Sequence, residues 1–262
     1  MVDTLPTFEP IEIAVKDGVY TFTIRGLKSL NIMNAAVADA LIEALIWLAD
    51  RDDARVLVLQ GYGEKAFIGG ADITEMAKLT PASAQAYISR LRRVCELVRI
   101  LPIPTVAMIH GYCFGVGLEL AACCDVRLAT TTSKFGMPEV KIGIPSVIHA
   151  ASLEGLMGQG AARWLLLTGK IIDAAHAERW GLLQEVVTPE TRHAALAELL
   201  AALMENGPKA TRLQKNLLLA WDGDASLQKA LDTSVEVFAS AYTSEEPARL
   251  MGAFINRRKE AL

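Results

Sequence analysis

The sequence has no long basic run, no cysteine spacing of the metal-binding kind, and no unbroken apolar stretch long enough to cross a membrane. Each absence excludes a class of function. Without clustered Lys and Arg there is no electrostatic footprint for nucleic acid, and the net charge is −4. The cysteines Cys95, Cys113, Cys123 and Cys124 offer no C-x-x-C spacing and no cysteine–histidine pair that suggests zinc. They read as reduced packing residues of a reducing compartment. A membrane-spanning helix needs about 20 predominantly apolar residues. The first residues, Met1-Val2-Asp3-Thr4-Leu5-Pro6, have neither a basic start nor an apolar signal core, so the expected location is cytoplasmic. With 52% hydrophobic and 21% charged residues, the 262-residue chain is globular and long enough for one large domain or two.

Periodicity outlines the elements. Alternation at 11–15 and 19–25 around Asp17-Gly18 predicts a hairpin. Val37, Leu41, Leu45 and Leu48 mark one face of a helix over 36–50. A strand at 55–60 is followed by breaks at Gly61-Tyr62-Gly63 and Gly69-Gly70. A helix over 83–100 stops before Leu101-Pro102-Ile103-Pro104, and 105–109 reads as a buried strand. Gly111 to Gly117 reads as a loop, 117–124 as a short apolar helix and 125–129 as a strand. This order of buried strands and helices predicts an α/β core. A short helix lies between an N-cap Asp173 and Gly181, and a strand follows at 182–187. Helices are then predicted at 189–205, 208–221, 225–240 and 245–260, which places a soft boundary near 198 between a core (1–198) and a helical region (199–262).

Two glutamates stand in glycine-rich frames. Glu119 closes Gly115-Val116-Gly117-Leu118-Glu119, a loop running into a helix, and Glu139 closes Phe135-Gly136-Met137-Pro138-Glu139. The start of such a helix offers backbone N–H groups to negative charge while the carboxylate stands one turn in. Donors beside two carboxylates are what proton transfer next to a carbonyl requires. Taken singly, Glu119 reads equally as a helix-cap residue, Glu139 as a turn residue, and the glycines as tight turns.

Four runs in order resemble the crotonase, or enoyl-CoA hydratase/isomerase, superfamily across almost the whole chain. They are Phe67-Ile68-Gly69-Gly70-Ala71-Asp72-Ile73-Thr74-Glu75-Met76; Pro104 to Asp125; Phe135 to Glu139; and Leu167-Thr168-Gly169 through Gly181-Leu182. The resemblance implies a spiral of ββα turns followed by a C-terminal helical region that forms trimers, often paired into hexamers. It implies an acyl-CoA thioester as substrate, with no metal and no further cofactor. The backbone N–H groups of Ala71 and Val116 would receive the thioester oxygen. Glu119 and Glu139 would hold one water, Glu119 drawing its proton as it attacks C3 of a trans-2-enoyl thioester and Glu139 protonating C2. Two nearby carboxylates tend to split their pKa values, which suits one acid and one base. Substrate and CoA contacts would fall on Leu27, Lys28, Ile68, Gly69, Gly70, Ala71, Asp72, Ile73, Gly115 and Gly117, with Asp72 also a cap for the next helix. Keeping both glutamates points to hydration; other crotonase reactions (double-bond isomerisation, or hydration coupled to cleavage of a functionalised thioester) and CoA binding without turnover are the alternatives.

The chain departs from that family at three places. Valine stands at 116, where Gly or Ala is usual. The glycine-rich turn after the second glutamate is replaced by Ile144-Pro145-Ser146-Val147-Ile148-His149, for which a more direct entry into the next helix is expected, with His149 a packing or surface residue. Near the start, Arg25-Gly26-Leu27-Lys28-Ser29-Leu30-Asn31 replaces the more usual Asn-Arg-Pro type of turn. The cluster Arg257-Arg258-Lys259 reads as a solvated helix end or as a phosphate contact for a neighbouring subunit.

Overall fold

A computed structural model describes residues 5–222 and scattered positions between 237 and 251. The helices expected at 225–240 and 245–260 lie largely outside the described residues, and the Arg257-Arg258-Lys259 cluster lies wholly outside them. Asp17 and Gly18 both take positive φ, 51° and 81°, and close the tight turn between β1 (Ile11–Lys16) and β2 (Val19–Ile24). The pair is antiparallel, with Ile11 opposite Ile24. Next comes α1 (Ala35–Ala49), capped by the Asn34 side chain, which accepts the Val37 N–H at 3.0 Å. Its buried face carries Val37, Leu41, Leu45 and Leu48, the residues that the 3.6-residue period singles out.

From here the chain repeats one course: a strand in a large sheet, a short strand in a second sheet, then helix. The first turn runs β3 (Val56–Gly61), β4 (Ala66–Ile68), α2 (Ile73–Met76) and α3 (Pro81–Ile100). The second runs β5 (Thr105–Ile109), β6 (Tyr112–Phe114) and α4 (Val116–Ala122). The third runs β7 (Val126–Thr130), β8 (Lys134–Gly136) and α5 (Ser152–Thr168). Then β9 (Ile171–Asp173), α6 (Ala174–Arg179) and β10 (Glu185–Val187) finish both sheets. The large sheet has the order β1-β2-β3-β5-β7-β10 and the small one β4-β6-β8-β9. Apart from β1–β2 and β8–β9, all pairings are parallel. This is the α/β spiral that the resemblance implied.

The strands of the large sheet read as continuous apolar runs because both faces are covered. On one side lies the main core with α1 and α3. On the other, α7 (Arg192–Met204) lays Leu196, Leu199, Leu200 and Leu203 against Val56, Val58, Val106, Met108 and Leu128. Position 198, the expected boundary, falls inside this helix. The next helix, α8 (Pro208–Trp221), opens on a proline, and the Glu246 carboxylate accepts the N–H groups of Lys209 (3.2 Å) and Ala210 (2.8 Å). Its Lys215 is 4% exposed and reaches both oxygens of Asp125, which also takes the Thr105 N–H (2.8 Å) and hydroxyl (2.9 Å). The segment expected as a loop at 111–117 contains β6; the three residues of that strand are too few to show a period.

Candidate active site

Glycines bring the two expected donor segments together. Gly117 faces β4 so closely that a Cβ there would lie 2.4 Å from the Ile68 carbonyl oxygen, so only glycine lets α4 rest on that strand. Gly115, at φ 53°, precedes α4, and a Cβ on it would lie 3.9 Å from Gly70 Cα. Val116 is the first residue of α4, so its N–H has no preceding helical turn to accept it. Across from it, Ala71 forms a single parallel bridge to Met33. Met33 N–H donates to Gly70 O (2.9 Å) and Asp72 N–H to Met33 O (3.0 Å), which turns the Ala71 N–H away from that neighbour. The Val116 side chain is buried at 2% exposure and packs into the main core.

Both glutamates border this place. Glu119 stands one turn into α4 and is 1% exposed; its Oε1 accepts the His149 backbone N–H at 3.0 Å. Burial pushes its pKa up to about 7, the Glu139 charge adds to the rise, and the N–H groups of His149, Ala150 and Ile148 oppose it. Glu139 lies in a 3-10 turn (Pro138–Ile142), and a Cβ on Gly115 would fall 2.5 Å from its Oε1. Its Oε2 accepts the Ser146 hydroxyl at 2.9 Å. Burial raises the Glu139 pKa as well, against its own backbone N–H and Ser146. Both acids hold protons more tightly than usual, Glu119 because it is buried and Glu139 because it is half-buried.

The 144–149 segment does not enter the helix directly. It stays irregular until α5 begins at Ser152. Its groups are directed at the glutamates instead, the Ser146 hydroxyl to one and the His149 N–H to the other. Neither residue stood among the expected site residues. A serine where relatives carry glycine was a visible signal for Ser146; a backbone contact leaves no trace in residue type, so His149 had none.

All four cysteines are free and buried. Burial holds the Cys113 and Cys124 thiols up, as packing residues require. Cys123 differs: the neighbouring Cys95 thiol and His149 imidazole hold it below the usual thiol range, against its own burial. Cys123, Cys124 and His149 all line a cavity of about 930 Å³. Iodoacetamide at pH 7 is expected to label Cys123 ahead of Cys113 and Cys124, read by peptide mass spectrometry; equal labelling of the three would remove the distinction.

The remaining expected contacts gather beside the donor segments. Gly69 N–H donates to Leu30 O at 2.8 Å, which joins the 27–31 loop to Ile68-Gly69-Gly70. Leu27 is 38% exposed and Ile73 58% exposed, and Lys28 opens a 3-10 turn over Lys28–Leu30. Asp72 caps α2, its Oδ1 accepting the Thr74 N–H at 2.9 Å. An open cleft of about 590 Å³ adjoins the loop, lined by residues including Ser29, Leu30, Lys65, Tyr112 and Lys134. Among the described residues, no group of three or more His, Cys, Asp or Glu side chains is placed to hold a metal ion, and no helix is long and apolar enough to cross a membrane.

Known proteins resemble the chain along most of its length. The chain is 30% identical to a crotonyl-CoA hydratase of Syntrophomonas wolfei over 96% of its own length and 97% of the relative's. It is 30% identical to a short-chain-enoyl-CoA hydratase of Clostridium acetobutylicum, over 94% and 95% of the two chains. The crystal structure of an enoyl-CoA hydratase from Bacillus anthracis superimposes with a TM-score of 0.90 at 27% identity, covering 94% of this chain and 96% of that one. The pattern of the enoyl-CoA hydratase/isomerase family matches residues 14–261, and the chain belongs to that family.

Proposed function

We propose that the protein is an enoyl-CoA hydratase, adding water across the trans-2 double bond of a short enoyl-CoA thioester. The observation that carries this reading is the buried Glu119 and the half-buried Glu139 set beside the Gly70–Ala71 and Gly115–Val116 backbone, both with raised pKa. In this reading the N–H groups of Ala71 and Val116 receive the thioester oxygen. Charge grows on that oxygen as water attacks C3, and fixed donors away from water stabilise it; one such donor is typically worth ~3 kcal/mol. Ionised Glu119 takes the proton of the attacking water. The C2=C3 electrons pass to the thioester oxygen, and protonated Glu139 then delivers its proton to C2. One proton must return from Glu119 to Glu139 before the next turnover.

With a pKa of about 7, Glu119 can serve as a base at neutral pH and above. The pair's apparent titration belongs to both groups together. A shared site with two acids favours hydration over isomerisation, which needs only one carboxylate. The names of the relatives, a crotonyl-CoA hydratase and a short-chain-enoyl-CoA hydratase, favour a short acyl group. The same reading includes assembly as a homotrimer or a pair of trimers and no resident cofactor. The adjoining cleft with Lys65 and Lys134 suits the anionic end of CoA.

Crotonyl-CoA is the test substrate. Rapid loss of the conjugated thioester absorbance, with 3-hydroxybutyryl-CoA as product, is the expected result. Conversion of a 3-enoyl-CoA without hydration would replace the reading by an isomerase, and thioester binding without turnover by a CoA-binding protein.

A further inference from the structure

The segment that departs from the family's glycine turn carries a side chain aimed at one of the two acids. We infer that Ser146 is a positioning residue for Glu139: its hydroxyl fixes the orientation of the carboxylate. The inference rests on the hydratase reading for its kinetic part, and on the Ser146–Glu139 hydrogen bond for its ionisation part.

Ser146 Oγ lies 2.9 Å from Glu139 Oε2, within the usual range for a hydroxyl donating to a carboxylate. The other oxygen, Oε1, is the one that would clash with a Cβ on Gly115, so it abuts the backbone just ahead of Val116. The serine therefore divides the carboxylate in two. Oε2 is held from the 144–149 side, and Oε1 is turned toward the α4 start, where the reacting thioester would lie. Glu119 is held from the same segment by the His149 N–H on its Oε1. One stretch of six residues thus grips both acids, through a hydroxyl in one case and a backbone donor in the other.

A glycine at 146 would leave Glu139 with no hydroxyl partner there. Burial already favours its neutral form, and Ser146 is the side chain that works against this. Removing the hydroxyl should therefore have two separate consequences. Glu139 should hold its proton to higher pH, and its carboxyl should sample more orientations. The first changes a titration; the second lowers kcat with little effect on KM, because the thioester's own contacts remain.

The experiment compares wild type with Ser146→Ala and Ser146→Thr. Ser146 is only partly buried, so loss of its hydroxyl leaves the fold intact. The Glu139 carboxyl is followed by carbon-13 NMR of glutamate-labelled protein, assigned with Glu139→Gln. Ser146→Ala is expected to raise its midpoint by about one pH unit and to lower kcat on crotonyl-CoA about tenfold, and Ser146→Thr to restore both. An unchanged midpoint would overturn the hydrogen bond's role in ionisation. A shifted midpoint with unchanged kcat would overturn the positioning role. Failure of wild type to hydrate any enoyl-CoA would sink the hydratase reading alone, and the midpoint comparison would still decide whether Ser146 governs Glu139.

Discussion

Glutamine in place of Glu119 is expected to cut the hydration rate roughly a thousandfold and, at the same time, to stabilise the protein above neutral pH. The rate falls because a neutral amide cannot take the water's proton. The stability gain follows from burial. A glutamate that titrates at 4.5 when free is held at about 7 in the fold, so the native state binds the proton more tightly than the unfolded chain. Below pH 4.5 both states are protonated and nothing is lost. As pH rises toward 7, the unfolded chain gives up its proton first and folding becomes less favourable. Above pH 7 the full cost stands, on the order of 3 kcal/mol. Glutamine keeps a carbonyl oxygen for the His149 N–H and carries no charge, so it avoids that cost. Urea unfolding at pH 5 and pH 8.5 reads the difference: similar midpoints at the lower pH, and a higher midpoint for the variant at the upper one. A variant less stable than wild type at pH 8.5 would mean that the Glu119 charge is compensated far better than its burial implies. Glu139→Gln is expected to follow the same direction, since burial raises that group as well.

Removing either partner of the Asp125–Lys215 pair is expected to destabilise the fold, and the two losses should be unequal. Lys215 is 4% exposed while Asp125 is 27% exposed. Asp125→Ala strands an ammonium with almost no water around it, at a cost of about 3–5 kcal/mol. Lys215→Met keeps the aliphatic packing and leaves a carboxylate that is partly wet and still bonded to Thr105, so ~2 kcal/mol is expected. The pair joins α8 to the start of β7, far in sequence from each other, so denaturant midpoints report it directly. Equal losses, or losses below the error of extrapolation, would show that the pair is solvated in solution.

Much of this was legible in the residues. Asp17-Gly18 announced the hairpin, and both residues take the positive φ that such a turn needs. The glycine frame before Glu119 announced a close approach of chain segments, since a Cβ on Gly117 would meet the Ile68 carbonyl and Gly115 takes positive φ. The strands of the small sheet were not legible, because β4, β6, β8 and β9, three residues each, are too short for alternation to register. The path of 144–151 was misread for a different reason. β-branched Val147 and Ile148 argued against a glycine-type turn, which was sound, but what holds the segment irregular is its hydrogen bonding to two distant carboxylates. Long-range partners of backbone groups have no local pattern.

Across the large sheet, β2, β3, β5, β7 and β10 lie side by side in the order in which the chain contains them. A ribosome releasing this chain from its N-terminus therefore delivers each strand after the neighbour it must join, so the sheet can grow at a single edge as synthesis proceeds. The helix α7 is released only after β10, when the apolar outer face of β3, β5 and β7 has been complete for more than fifty residues of synthesis. Until then that face is exposed to water, and it is the surface a chaperone would be expected to shield on the emerging chain.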